Sequence, residues 1–161
     1  MKIEIKEGYE YKNEILELFT EYTTALMSKQ DNFEEYLKIQ NYAEEVKHLE
    51  KKYGQPEGRL YILFFDEEPA GCIALRKLDN EKCEMKRLFI KPDFRGKSLG
   101  NMLIEKIIED AKNIGYTYMY LDTLPFLQTA IHCYKKYGFY EIPRYNNSPG
   151  EDTIYMRLDL K

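Results

Sequence analysis

The six residues at 95–100, Arg-Gly-Lys-Ser-Leu-Gly, combine small and basic side chains in one short segment. They stand between a predicted strand and a predicted amphipathic helix. Small residues let a backbone approach a phosphate closely, and the first N–H groups of a helix have no partner within the helix. The helix dipole and the charges of Arg95 and Lys97 add to the attraction for an anion. The segment predicts a phosphate-binding turn at a helix N-terminus; the alternative is a solvated, cationic helix start.

Two common nucleotide-binding motifs do not fit this segment. Gly96, Lys97 and Ser98 are superficially similar to the end of a P-loop, but that motif needs a glycine five positions before its Gly-Lys pair, where this chain has Lys91. No Gly-x-Gly-x-x-Gly follows a predicted strand, so the dinucleotide-binding fingerprint is also missing. The sequence therefore argues against a P-loop nucleotidase and against a dinucleotide-binding fold.

Strand-like and helix-like patterns alternate along the chain around this turn. Alternating, β-rich runs predict strands at 2–6, 59–66, 70–76, 84–90, 116–121 and 153–158. Apolar residues at helical spacing predict helices at 11–27, 41–53, 98–113 and 126–137. Leu88, Phe89 and Ile90 interrupt the alternation, which predicts a bulge or burial on both faces of that strand. The predicted order is β-α-α-β-β-β-α-β-α-β, and it allows one further strand near the end.

Length and composition narrow the class of protein. The 161 residues suit one domain, and 43% hydrophobic against 32% charged residues predicts a globular chain with a sizeable core. The net charge of −4 disfavours nucleic acid and anionic membrane surfaces as partners. The longest apolar runs have six residues, and the charged N-terminus has no signal-peptide pattern. We therefore expect a cytoplasmic protein without a membrane helix.

The three cysteines indicate neither a zinc site nor a disulfide framework. Cys72, Cys83 and Cys133 are odd in number and show no Cys-x-x-Cys or Cys/His ligand spacing. We expect reduced thiols, mostly in the core, and no metal site.

Two segments carry a resemblance to a known family. Residues 84–100 resemble the acetyl-CoA-binding core of the GNAT superfamily of N-acetyltransferases, whose pattern is Arg/Gln-x-x-Gly-x-Gly/Ala. Arg95 and Gly100 match the ends of that pattern, and Ser98 stands in place of its middle glycine. Residues 130–139 are similar to the family's Ala-x-x-x-Tyr-x-x-x-Gly-Phe segment. With the strand order, the resemblance covers roughly residues 59–158.

The resemblance implies a fold and an activity. The implied fold is α+β, a GNAT-like acyl-CoA N-acyltransferase with a central, mostly antiparallel mixed sheet of six to seven strands flanked by about four helices. Residues 1–161 would form one domain, with 1–58 on the acceptor side and 59–161 as the cofactor-binding core. The implied reaction is direct attack of a primary amine, on a small molecule or a peptide, at the acetyl group of acetyl-CoA without a metal. The resemblance leaves both a monomer and a homodimer open.

The resemblance also implies roles for particular residues. Backbone N–H groups around Leu88, Phe89 and Ile90, freed by a bulge, would bind the pantetheine amides and face the developing oxyanion. The pyrophosphate would lie over Arg95, Gly96, Lys97, Ser98, Leu99 and Gly100. Glu84 would act as the base, through water, and Tyr134 as the proton donor to the leaving thiolate. The alternatives are a solvent-facing strand carboxylate for Glu84 and a core tyrosine for Tyr134.

Two other classes of function remain open at this point. The chain could bind acyl-CoA as a catalytically weak sensor, or its tyrosine-rich N-terminal helices could form a protein-interaction module. A thermal shift with acetyl-CoA separates the second class from the others, because only a cofactor site gives ligand-dependent stabilisation.

Overall fold

The computed structural model describes residues 1–29, 33–39, 41–148 and 150–161. Its strands are β1 (Ile3–Glu7), β2 (Arg59–Phe65), β3 (Glu68–Lys77), β4 (Lys82–Ile90), β5 (Tyr118–Thr123), β6 (Tyr140–Ile142) and β7 (Ile154–Asp159). They form one seven-stranded sheet in the order β1-β2-β3-β4-β5-β7-β6. Every neighbouring pair is antiparallel except β4 and β5, which are parallel. The sheet confirms the predicted mixed, mostly antiparallel architecture.

The helices depart from the predicted count. The described residues form α1 (Lys12–Met27), α2 (Phe33–Ile39), α3 (Tyr42–Lys47), α4 (Leu49–Tyr53), α5 (Leu99–Ile114) and α6 (Gln128–Lys136). The sequence did not predict α2, and the predicted single helix over 41–53 is broken at His48, whose φ and ψ are −136° and 65°. The break turns Leu49 and Tyr53 into the core, where they are 2% and 0% exposed. Residues 30–32 and 40, within the predicted acceptor side, lie outside the described residues.

Helices cover the sheet on both faces. On what we call the α5 face, the apolar stripe of α5 packs on alternate residues of β3 and β4. The stripe contains Leu99, Leu103, Ile104 and Ile107, and the strands contribute Ile73, Leu75, Cys83 and Met85. On the opposite α1 face, α1 and α4 pack on residues of β2 and β3 that point the other way. The helices contribute Ile15, Phe19 and Leu49, and the strands contribute Ile62, Cys72 and Ala74. Each such buried aliphatic or aromatic side chain contributes about 1.5–3 kcal/mol. These two cores hold the central strands rigidly.

The sheet divides between β4 and β5. The two strands pair only from Lys82 and Tyr118 to Glu84 and Tyr120. Beyond Glu84, no described strand pairs with β4 on its β5 side, while β5 continues to pair with β7 as far as Thr123. The division leaves an open notch, and the edge of β4 that lines it offers backbone groups to a ligand instead of to a strand.

A bulge lies next to this notch. Between Cys72 and Ala74 of β3, the partner strand advances from Phe89 to Lys86, so β4 contains one extra residue. Arg87 sits at the bulge with φ 59°, in the left-handed region. The predicted bulge is confirmed, and it begins one residue before the apolar run that indicated it.

No helix among the described residues is long and apolar enough to cross a membrane. Cys72, Cys83 and Cys133 are all free, and the first two are buried.

Candidate active site

The turn before α5 has the backbone that an anion site requires. Gly96 and Ser98 are both left-handed, with φ of 81° and 60°. A Cβ at Gly96 would meet no atom within 4 Å, and one at Gly100 would come no closer than 3.8 Å to Ile90, so the surface of the turn is open. The N–H of Met102 bonds to the carbonyl of Ser98 at 3.3 Å, and the N–H groups before it have no helical acceptor. Residues 95–98 of the predicted segment are therefore exposed, whereas Leu99 is buried in the core beneath them.

The two cations of this turn lie against the ends of two different strands, Arg95 against β4 and Lys97 against β2. Arg95 Nε donates to the carbonyl oxygen of Ile90 at 2.9 Å, and its guanidinium lies 5.8 Å from the ring centroid of Phe89. Lys97 Nζ lies 5.4 Å from the ring centroid of Phe65. Both side chains remain exposed beside the turn, where their charges can attract a phosphate.

Tyr134 lies on α6 and is 7% exposed, with its ring centroid 5.7 Å from that of Phe139. Burial raises the pKa of Tyr134 well above its usual value, and Tyr22, Cys133 and Asp122 add to the increase. Asp122 belongs to β5 just beyond the residues that pair with β4, so Tyr134 lies within electrostatic range of the notch. Among the described residues, none hydrogen-bonds with the Tyr134 hydroxyl. The side chain is a neutral phenol that keeps its proton until a strong base approaches.

Glu84 is the last residue of β4 that pairs with β5, and it is only 4% exposed. Its Oε1 lies 3.1 Å from Arg76 Nε and 3.8 Å from Lys86 Nζ. Its Oε2 accepts a hydrogen bond of 2.5 Å from the hydroxyl of Tyr145. Glu84 is therefore not the solvent-facing carboxylate of the alternative interpretation, and both of its oxygens have partners.

The segment between β6 and β7 folds over the α1 face of the second half of the sheet. The ring of Tyr145 contacts those of Tyr120 and Tyr155, at centroid distances of 5.0 Å and 5.4 Å. Asn146 Nδ2 donates to Asp122 Oδ2 at 2.6 Å. Sequence reasoning missed this segment as part of the site, because nothing near Tyr145 indicates that it reaches a carboxylate 61 positions away.

A second buried network holds the bulge. Arg87 forms a two-point ion pair with Glu45 of α3, with Nε–Oε2 and Nη2–Oε1 distances of 2.8 Å and 2.9 Å. Lys52 Nζ lies 2.6 Å from Glu45 Oε1. Burial favours the neutral acid, but Arg87 and Lys52 outweigh it and lower the pKa of Glu45 to about 2. The network links the acceptor-side helices to the strand predicted to bind the cofactor, and the sequence did not reveal it.

Comparison with known proteins identifies the family. The family model described as "Acetyltransferase (GNAT) family" matches residues 13–139. The protein belongs to the GNAT family. An uncharacterised N-acetyltransferase of Dictyostelium discoideum is 34% identical to it over 100% of both chains. Together with the N-acetyltransferase relatives, the match shows that this GNAT protein is an acyltransferase.

Solved structures agree on the fold. A GNAT-family acetyltransferase of Staphylococcus aureus superposes with a TM-score of 0.80, at 24% identity over 99% of this chain and 100% of that one. The PaiA N-acetyltransferase of Thermoplasma acidophilum, solved in complex with coenzyme A, has a TM-score of 0.73 at 20% identity and covers 99% of each chain. The GNAT fold implied by the two sequence motifs is confirmed.

No group of three or more His, Cys, Asp or Glu within the described part of this GNAT protein could hold a metal ion.

Proposed function

We propose that the protein transfers the acetyl group of acetyl-CoA to a primary amine by direct attack of the amine. The observation that carries the proposal is the pairing of an open β4 edge with Tyr134, a buried phenol beside the notch whose hydroxyl has no described partner. The open edge of β4 would hold the thioester, and Tyr134 would donate a proton to the leaving thiolate. Residues 59–161 would hold the cosubstrate and residues 1–58 would form the acceptor side.

The residues present fit acetyl-CoA. The turn at residues 95–100 would hold the pyrophosphate through its open N–H groups and the charges of Arg95 and Lys97. The backbone of Leu88, Phe89 and Ile90 would bind the pantetheine amides along the unpaired edge of β4. When bound, acetyl-CoA supplies an activated acetyl group at the notch. Tyr134 and Glu84 are the side chains that would act there on the reacting groups.

Glu84 is the proposed base. An alkyl amine with a pKa of about 10.4 is protonated near neutral pH and must lose a proton before it attacks. The proton would reach Glu84 Oε2 through the hydroxyl of Tyr145, which is bonded to that oxygen, or through a water. Glu84→Gln removes the charge that would accept this proton, so it is an informative variant.

Tyr134→Phe tests the proposal, because it removes only the hydroxyl and keeps the ring. Release of free thiol from acetyl-CoA is followed over a panel of amines, and kcat should fall by roughly 10²–10⁴-fold while acetyl-CoA affinity and Tm change little. Tyr137→Phe is the matched control at the C-terminal end of the same helix, since the Tyr137 hydroxyl bonds to Glu105 at the surface. A drop of less than about threefold in Tyr134→Phe, with chemistry shown to limit the wild type, would contradict the role.

A further inference from the structure

Lys86 is a buried cation that the proposed reaction does not use. It lies on β4 between Glu84 and the bulge, points to the α1 face, and is 8% exposed. Its ammonium forms no hydrogen bond with any described residue, and its one ion pair, to Glu84 Oε1, is 3.8 Å long. An ammonium has three donors, and burying them without acceptors costs free energy.

The carboxylates that act on Lys86 all have closer partners. Glu84 lies nearer to Arg76, at 3.1 Å, and also accepts from Tyr145. Glu45 is bound by Arg87 and Lys52, as described above. Asp122 accepts from Asn146 at 2.6 Å. Burial lowers the pKa of Lys86, and these carboxylates only partly oppose that effect. The Lys86 ammonium is therefore a positive charge for which the described side chains provide no acceptor at hydrogen-bond distance.

The position of Lys86 indicates which reactant would carry an anion that pairs with it: the acceptor rather than the cosubstrate. Lys86 lies four residues before Ile90, which is about 13 Å along an extended strand. The turn that would bind the pyrophosphate follows Ile90, so the phosphates are too far away. The pantetheine arm between the two places carries no charge. An anion that meets Lys86 must therefore belong to the other reactant.

We propose that Lys86 binds a carboxylate of the amine acceptor, so that the acceptor is an amino acid or a related amine with a free carboxylate. The inference rests on the proposed function and narrows its substrate class. A singly charged carboxylate neutralises the single charge of the ammonium and can accept hydrogen bonds from two of its three N–H groups. Lysine lacks a fixed fork, so it accommodates carboxylates at different distances from the amine.

Matched pairs of amines test the inference. Thiol release from saturating acetyl-CoA is measured with alanine, β-alanine and γ-aminobutyrate, and with the carboxamide of each. For the pair of amines with the highest activity, the wild type should favour the amine with the free carboxylate. Lys86→Met should raise the KM of that amine by about tenfold, because the loss of one charge-assisted hydrogen bond has an effect of this size. Neither kcat nor the KM of the carboxamide should change by more than about twofold. The two amines of a pair differ in basicity, but that difference cancels when the variant is compared with the wild type.

Two further variants keep the result interpretable. Lys82→Met is the matched control, because Lys82 lies on the same strand and face, stacked on Tyr120, and should leave the preference unchanged. Lys86→Met keeps most of the length of the side chain and leaves Glu84 with Arg76 and Tyr145, so the Tm of the variant should stay the same or rise. If it does not fold, Lys86→Gln takes its place.

The outcomes separate the two levels of the proposal. Acetylation of amines with a carboxylate preference that Lys86→Met leaves unchanged would overturn the inference and leave the proposed function standing. An equal fall in kcat for the carboxylate and its carboxamide would also overturn it, because Lys86 would then handle a proton rather than an anion. Absence of thiol release with every amine, including polyamines and peptides, would overturn the proposed function and the inference together.

Discussion

Arg87 lies within β4 and Ser98 lies in the turn before α5, yet the two residues have almost the same φ, 59° and 60°. Ser98 is exposed, and its side chain makes no cap hydrogen bond. Arg87 is 4% exposed and is bound at two points by Glu45. A left-handed conformation costs a non-glycine residue roughly 1–2 kcal/mol in either place. The same local strain is thus held by a short contiguous turn in one region and by a tertiary ion pair in the other.

The difference shows how the two halves of the site are built. The phosphate turn is assembled from residues next to one another, so substitutions there should affect the ligand more than the fold. The bulge depends on a helix 42 positions away, so substitutions there should affect the fold first. Glycine at the two positions makes the contrast measurable.

Arg87→Gly should have the largest effect. Glycine suits the left-handed backbone, but the change leaves the buried Glu45 with Lys52 alone, and breaking such a pair costs about 3 kcal/mol. Urea unfolding of the variant and the wild type measures the loss. The double variant Arg87→Gly, Glu45→Gln should be less destabilised than the sum of the single variants. A loss below about 1 kcal/mol would show that the backbone, rather than the ion pair, governs the bulge.

Acid should also destabilise the bulge, because protonation of Glu45 weakens its ion pair with Arg87. The pKa of Glu45 is lowered from 4.5 to about 2 on folding, so its contribution is complete above about pH 5 and is lost as the pH falls towards 2. The full shift corresponds to at most about 3 kcal/mol. Unfolding free energies measured at about pH 6 and about pH 3 should differ less in Glu45→Gln than in the wild type. If the unfolding free energies of the two proteins depended equally on pH, Glu45 would not contribute to the loss of stability in acid.

In the phosphate turn, replacing both Arg95 and Lys97 with Ala should weaken acetyl-CoA binding without unfolding the protein. Both side chains are exposed, so each contributes about 0.7 kcal/mol, and the double variant should bind about tenfold more weakly. Calorimetry with acetyl-CoA gives the Kd, and the Tm of the free protein should stay unchanged. Wild-type affinity in the double variant would place the pyrophosphate elsewhere.

Ser98→Gly should have the smallest effect on stability. Relief of the left-handed strain is offset by the greater freedom of glycine in the unfolded chain, and the net change should stay within about 0.5 kcal/mol. Acetyl-CoA affinity should be unchanged or slightly higher. Loss of binding would mean that the Ser98 hydroxyl contacts the ligand, and a large loss of stability would remove the contrast with Arg87.

The sequence by itself was sufficient to predict the parts of the protein that depend on neighbouring residues. The apolar stripe of α5, the strands around it and the turn at residues 95–100 were predicted from spacing, because helix and strand periods and the open N–H groups of a helix are local properties. The resemblance to the GNAT family rested on two such segments, and the family match confirms it.

The tertiary structure decided the parts that depend on distant contacts. The break at His48 follows from packing Leu49 and Tyr53 into the core, which no local signal at 41–53 indicated. The burial of Glu84 depends on Tyr145, 61 positions away, and the bulge depends on Glu45. A charge pattern in sequence looks the same whether the side chain is solvated or paired. Only the approach of the partner segments removes water from these groups and so determines what each of them contributes to the site.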